Sequence, residues 1–256
     1  GSAAHLEGTI MSYAIQWVRS LIFICLMYIT MPLVGLVYLP WAIVSRDGAM
    51  AGCHAYCRLV RWLARWIIGL HTEVRGTPPT GEVMIAAKHQ SFMDVLVIFG
   101  AVPQGKFIMK SILKYAPVIG WFGLRIGCVP VDRGKRGQAI KKMLAEVKAG
   151  RDVPGQLIIY PQGTRIAPGV SAKYKLGTSA LYQELGQPVI PVSCNVGVFW
   201  PKRGIYRKPG NAVIEFHEPV PVGLSTQEFM KKIETVIETG SNALAAEAGF
   251  KRVTEG

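Results

Sequence analysis

The stretch Val83-Met84-Ile85-Ala86-Ala87-Lys88-His89-Gln90-Ser91-Phe92-Met93-Asp94 decides the fold of this chain. Five apolar residues follow the turn cluster Gly76-Thr77-Pro78-Pro79-Thr80-Gly81, and their short, bounded run predicts a buried strand. The strand gives way to a polar corner, and Phe92–Phe99 then reads as a helix. The same punctuation repeats along the chain. Phe107–Met109, Ile126–Val131, Leu157–Tyr160, Val189–Val196 and Ala212–Phe216 read as further strands. Helical patterns at Gln138–Lys148, Gly177–Leu185 and Thr226–Ala248 fall between or after them. Strands alternating with helices predict an α/β fold, a mostly parallel mixed sheet flanked by helices. Such sheets hold their ligands at the carboxyl ends of the strands. No internal repeat or low-complexity tract interrupts this domain, placed at 71–256.

Upstream the sequence changes character. Leu21 to Val44 carries no charge and is long enough to span a bilayer, although Pro32, Gly35 and Pro40 interrupt it. After Ser45-Arg46-Asp47-Gly48 a second helical pattern runs from about Ala49 to Leu70. On a helical wheel His54, Arg58, Arg61 and Arg65 share one stripe, flanked by Trp62 and Trp66, and the other side is apolar. Arginine beside tryptophan suits a helix lying in the headgroup layer, so Arg58, Arg61, Trp62, Arg65 and Trp66 are the candidate membrane-binding residues. Basic residues on both sides of the apolar run argue against a clean crossing. Residues 11–70 are therefore expected to form a membrane-anchoring helical hairpin that dips into one leaflet. Residues 1–10 read as an expression scar, with Met11 as the natural start.

Composition agrees with a greasy, anionic partner. Half of the 256 residues are hydrophobic, only 18% are charged, and the net charge is +13. That excludes a disordered or acidic-tail protein and fits a membrane surface better than a nucleic acid. From Lys88 to Lys175 there are fifteen Lys or Arg against four acids, and Lys202, Arg203, Arg207 and Lys208 form a second basic patch. The five cysteines have mostly apolar neighbours and read as reduced thiols in the cytosol. Cys53, His54 and Cys57 mimic a metal cluster, but nothing downstream completes the pattern, so no metal is expected.

Three strand ends carry candidate chemistry. At the first, His89 precedes Asp94 by five residues. A carboxylate on one ring nitrogen fixes the tautomer and leaves the other nitrogen as a base. Five residues is about 140° on a helix, so the pair requires His89 in the loop and a helix beginning near Ser91. The same residues also fit a capping box, with Ser91 as N-cap and Asp94 at N3. At the second strand end Val131-Asp132-Arg133-Gly134 delivers a guanidinium to the sheet edge. At the third, Pro161-Gln162-Gly163-Thr164-Arg165 offers backbone N–H groups, a hydroxyl and a second guanidinium, which are phosphate-binding parts. No Walker loop and no G-x-G-x-x-G is present, which weighs against nucleotide hydrolysis and dinucleotide binding.

Together these blocks resemble the glycerolipid acyltransferases, specifically the 1-acyl-sn-glycerol-3-phosphate (lysophosphatidic acid) acyltransferase family. The H-x-x-x-x-D block matches at His89 and Asp94, the second block at Val131-Asp132-Arg133, and the P-E-G-T-R block at Pro161–Arg165. A short V-I-P-V strand matches Val189–Val192, and the likeness covers about residues 80–220. Two positions depart from the family's pattern. Gln162 stands where it usually has Glu, and Ser111 where an acidic residue often follows the lysine matching Lys110.

The resemblance implies transfer of an acyl chain from a thioester, acyl-CoA or acyl-carrier protein, to the 2-hydroxyl of lysophosphatidic acid, without an acyl-enzyme or a cofactor. His89 would be the general base and Asp94 its orienter. Arg133, Gly163, Thr164 and Arg165 would hold the acceptor phosphate, with Lys110 and Gln162 in support. Backbone donors near the His89 turn are expected to stabilise the oxyanion, and Ser91 as acyl nucleophile is a rival. The implied setting is the cytoplasmic face of a bacterial inner membrane, with phospholipid as partner and no nucleic acid. Acceptors left open are glycerol 3-phosphate, another lysophospholipid and lyso-ornithine lipid. A non-enzymatic basic protein binding membranes or RNA is the alternative of a different class.

Overall fold

The computed structural model describes residues 2–131, 141, 144–145 and 153–251, with side chains from residue 11 onward. Helix α1, Ser2–Val44, is followed by α2, Arg46–Leu63. Between them Ser45 caps α2 by accepting from the Asp47 N–H at 3.1 Å. The two prolines of α1, Pro32 and Pro40, lie inside a helix that continues through both. The hairpin closes tightly at Gly48, where a Cβ would come within 2.5 Å of the Trp41 backbone. The helical pattern expected to reach Leu70 ends sooner. A π turn at Ala64–Ile68 leads to Gly69, left-handed at φ 69°, and strand β1 begins at Leu70.

Strands β1 (Leu70–Arg75), β2 (Val83–Ala87), β3 (Gly105–Lys110), β4 (Val129–Val131), β5 (Gln156–Ile159), β6 (Val189–Cys194) and β7 (Gly210–Phe216) form one sheet in the order β1-β7-β6-β2-β5-β3-β4. Every pairing is parallel except β6 with β7, so the sheet is mixed and mostly parallel, as expected. β1 has no counterpart in the sequence reading. Conversely, the strand expected at Ile126–Val131 keeps only its last three residues, because Ile126 ends the preceding helix and Gly127 turns at φ 96°.

Helix α3 is Met93–Ala101, α4 is Ile119–Arg125, α5 is Gly177–Leu185, α6 is the turn Val196–Phe199, and α7 is Thr226–Glu247. Helix α7 opens with a capping box between Ser225 and Glu228. Of the helix expected at 138–148, residues 141, 144 and 145 are described and are helical.

Alternate residues of β2 feed opposite faces of the sheet. Ile85 and Ala87 join a core with α1, α2 and α3, while Met84 and Ala86 join one with α5 and α7. The hairpin thus shares the core of the α/β sheet: Phe23, Val60, Leu63 and Ile68 are buried in the same cluster as Ile158 and Ile190. Both ends of α1 are also tied to the sheet domain by hydrogen bonds. Gln16 donates to the carbonyls of Ile68 and Arg207 at 3.0 and 2.9 Å. At the far end Arg125 donates to those of Ala42 and Ile43 at 3.1 and 3.2 Å.

Candidate active site

The parallel register builds the site. Ala86 of β2 pairs with Ile159 of β5, so three residues on, His89 and Gln162 leave the sheet side by side, about 4.8 Å apart between strands. Lys110 ends β3, the strand beyond β5. Loop and loop are then joined directly, because the Ile166 N–H donates to the His89 carbonyl at 2.8 Å.

His89 lies in the corner and α3 starts after it, as the pair requires. Its Nδ1 is 2.8 Å from Asp94 Oδ1. The acceptor is a carboxylate, so Nδ1 carries the hydrogen and Nε2 keeps its lone pair. Asp94 is fully buried, and its other oxygen accepts from the Gln90 and Ser91 N–H groups at 2.8 and 2.7 Å. Asp94 thus has a partner on each oxygen, but the expected capping box is only half formed: α3 starts after Phe92 with no side-chain cap, and Ser91 Oγ accepts from Met93 N–H instead of Asp94 N–H. The Gln90 and Ser91 N–H groups, which follow His89, are thus engaged by Asp94. Ser91 is fully buried, with its Oγ accepting from Met93 N–H at 3.3 Å, so as a nucleophile it is withdrawn from substrate.

The His89 ring stacks on Tyr160 with centroids 4.1 Å apart. Burial, and then the negative charge of Asp94, hold the Tyr160 hydroxyl well above the ordinary phenol range. Tyr160 thus stays neutral and gives His89 a fixed flat support.

Gly163 turns the next loop at φ 70°, a conformation that favours glycine. A Cβ there would meet Lys175 Nζ at 2.5 Å, so the Lys175 amine lies over this turn. From the other side Lys202 donates to the Arg165 carbonyl at 3.1 Å and to Thr164 Oγ1 at 3.4 Å. The Gly163–Arg165 turn is accordingly ringed by Arg165, Lys175 and Lys202. Sequence spacing singled out only Arg165 here; Lys202 was visible as part of the second basic patch. Arg133 falls outside the described residues, and Lys110 stands exposed at the end of β3.

Below the turn, Lys88 is 3% exposed and paired with Glu238 of α7 at 2.6 and 2.7 Å. Glu238 also accepts from the Tyr174 hydroxyl at 2.8 Å and from Gln162 Nε2 at 3.4 Å. Gln162 is 4% exposed and part of a hub that ties the His89 corner and the Gly163 turn to the last helix.

Three expectations lie elsewhere on the molecule. Arg58, Arg65, Trp62 and Trp66 are exposed on the outer side of the hairpin, with Arg65 5.7 Å from the Trp66 ring. Arg61 departs from the stripe, since its Nε donates to Thr72 Oγ1 at 2.7 Å and burial lowers its pKa. The supposed metal mimic is divided: His54 turns to the Pro103 carbonyl at 3.3 Å, and burial pushes the Cys57 thiol up to about 12.

The family described as Acyltransferase has a model that matches residues 71–195, from β1 through β6, including His89, Asp94 and the 162–165 turn. Residues 71–195, just under half of the chain, are similar to the acyltransferase family. The chain is similar to the 1-acyl-sn-glycerol-3-phosphate acyltransferase of Pseudomonas aeruginosa, 32% identical over 157 residues. That alignment covers 60% of this chain and 61% of the Pseudomonas protein, so less than two thirds of that acyltransferase is spanned. The Saccharomyces cerevisiae protein of the same name is 29% identical over 220 residues, covering 72% of this chain and 71% of the yeast one. The fold is that of the solved 1-acyl-sn-glycerophosphate (LPA) acyltransferase PlsC of Thermotoga maritima. The TM-score is 0.75 at 24% identity, covering 90% of this chain and 95% of that one.

Proposed function

We propose that the chain transfers a fatty acyl group from an acyl thioester, carried by coenzyme A or acyl-carrier protein, to the sn-2 hydroxyl of 1-acyl-sn-glycerol 3-phosphate, giving phosphatidic acid. The observation that carries this reading is the His89–Asp94 pair held beside a cationic turn by the Ile166–His89 backbone bond. His89 Nε2 takes the proton of the acceptor hydroxyl as its oxygen attacks the thioester carbonyl. The C–S bond then breaks, and the proton leaves with the thiolate as a free thiol. Asp94 stabilises the imidazolium between these steps. No cofactor enters, and the acyl group never rests on the protein.

Arg133, Gly163, Thr164 and Arg165 hold the acceptor phosphate on this reading, with Lys175, Lys202 and Lys110 adding charge. Replacing Arg165 or Lys202 with alanine should raise the KM for a phosphate-bearing acceptor by about tenfold or more, with a smaller change in kcat. Steady-state kinetics against a lyso-lipid panel, with acyl-CoA and acyl-carrier protein in parallel, measures this and separates the acceptors. Turnover of lyso-ornithine lipid or glycerol 3-phosphate in preference to lysophosphatidic acid would favour the other acceptors, which Gln162 and Ser111 leave open. Lipid binding without thiol release would favour a non-enzymatic role.

The same reading places the protein on one leaflet, at the cytoplasmic face of a bacterial inner membrane. Within residues 11–44 an 18-residue window has a mean hydropathy of 2.3, and only 22% of that window is buried. Its outward residues Ile15, Val18, Ile22, Ile29, Leu33, Leu36 and Ile43 recur at helical spacing and are 47–63% exposed. Gln16 and Ile43 bind the same domain from positions about 40 Å apart along the helix, so α1 lies along the domain rather than standing off it. That geometry supports a helix lying in the plane of the leaflet. The double variant Arg58→Glu/Arg65→Glu should weaken sedimentation with anionic vesicles by about 1 kcal/mol per residue, an effect that fades at high salt.

A further inference from the structure

A second exposed apolar surface follows β3 directly. After Lys110 the chain makes the 3-10 turn Ser111–Tyr115, in which no residue is buried, and then α4. Ile112 is 66% exposed, Tyr115 72%, Trp121 42% and Leu124 47%. So many large apolar side chains gathered over fourteen residues mark an interaction surface.

The patch is continuous with the hairpin. Val118, at φ 64° in a region a β-branched residue rarely adopts, fills the notch left by Gly35 of α1, where a Cβ would come within 2.7 Å of it. Phe122 is buried against Gly35 and Gly52 of the hairpin. Arg125 grips the last carbonyls of α1. The 112–124 segment is thus packed directly against α1 and α2, with its own exposed apolar side chains beside the hairpin.

Its charge is one-signed. Between Lys106 and Val131 there is no acid, and Lys110, Lys114 and Arg125 line the patch, Lys114 lying 4.8 Å from the Tyr115 ring centroid. An apolar face carrying only cations, in line with a helix of the same make-up, matches the acyl layer and headgroups of an anionic leaflet. We infer that residues 111–124 insert into the same anionic leaflet as α1 and set the height of the catalytic edge above it.

The inference rests on the leaflet reading above, and it adds a role. Segment 111–124 starts at the carboxyl end of β3, on the edge that carries His89 and the Gly163 turn. At the opposite end of α1, Tyr13 stacks on Tyr206 at 4.7 Å, in the loop that also carries Lys202 to Thr164. The site is therefore rimmed by leaflet-facing elements on two sides, and a lyso-lipid reaches His89 without leaving the membrane.

The test uses the full chain with Tyr115→Cys in a Cys25→Ser background, carrying an environment-sensitive fluorophore at 115. Vesicles of phosphatidylglycerol and phosphatidylethanolamine should shift its emission to the blue. The double variant Ile112→Glu/Tyr115→Glu should lose at least about tenfold in kcat/KM for lysophosphatidic acid in vesicles. Its kcat/KM for a short-chain, monomeric acceptor should stay unchanged. A label that remains in water while the protein sediments with vesicles overturns the inference and leaves the leaflet reading standing. Failure to sediment overturns both. A blue shift produced by acyl-carrier protein and not by vesicles also overturns it, assigning the patch to an acidic protein.

Discussion

His89→Ala should lower kcat for acyl transfer by about 10²–10⁴-fold while leaving the protein folded. Its side chain is 15% exposed, so its loss leaves a small open hollow. Asp94→Asn is the sharper experiment. Asp94 Oδ2 accepts two backbone N–H groups, so the amide must turn its oxygen toward Gln90 and Ser91 to keep them satisfied. Its NH2 then faces His89 Nδ1, which must accept rather than donate. The ring takes the other tautomer, Nε2 carries the hydrogen, and the base is gone although every atom is nearly in place. A loss of about 10²–10⁴-fold in kcat with an unchanged melting temperature is expected. Full turnover by either variant, measured as thiol release with saturating acceptor, would refute the assignment of the base.

The largest stability effect is expected at Glu238. Lys88 is 3% exposed, and Glu238→Ala leaves its ammonium buried without its carboxylate. The cost should be about 3–5 kcal/mol, a fall in Tm on the order of 10 °C in detergent. Replacing both partners, Lys88→Met with Glu238→Leu, should recover part of that stability, because the buried ammonium is gone while the Tyr174 hydroxyl still loses its acceptor. Position 162 is coupled to the same hub. Gln162→Glu would set a second carboxylate 3.4 Å from Glu238 Oε1 and should destabilise the chain. Adding Glu238→Gln should restore it, since one negative charge again serves Lys88. If Gln162→Glu alone is as stable as the parent chain, the hub is not electrostatic. Gln162 departs from the family's usual Glu, and the structure offers a reason: the carboxylate stands on α7 instead.

Much of the fold was legible. Strand β2 and helix α5 begin and end at the residues their patterns mark, because each is bounded by turn residues and has one clear period. Strand β1 was not, since Leu-His-Thr-Glu-Val-Arg follows the hairpin after the single residue Gly69 and acquires its partner, β7, about 140 residues later. Helix α4 hides in Ile-Gly-Trp-Phe-Gly-Leu-Arg, where two glycines lower the local preference. It forms because Phe122 has the gaps at Gly35 and Gly52 to pack against.

The site divides along the same line. What the sequence alone determined is whatever is local in the chain: a histidine after a strand with a carboxylate five residues on, a glycine turn after another strand, and a long uncharged helix before a stripe of arginines. Such features follow from period, spacing and backbone preference, which act over a few residues. What only the tertiary structure decided is which of them meet. Parallel pairing of β2 with β5 sets the His89 corner level with the Gly163 turn. Packing brings Lys175 and Lys202 onto that turn, and Glu238 beneath it. Asp94 finds a partner for each oxygen, His89 on one and the Gln90 and Ser91 N–H groups on the other. Apart from the local bonds of Asp94, these contacts join residues 12 apart at Gly163 and Lys175, 37 apart at Arg165 and Lys202, 73 apart in the β2–β5 register and 150 apart at Lys88 and Glu238, and the burial of a shared core rather than local preference chooses the neighbour.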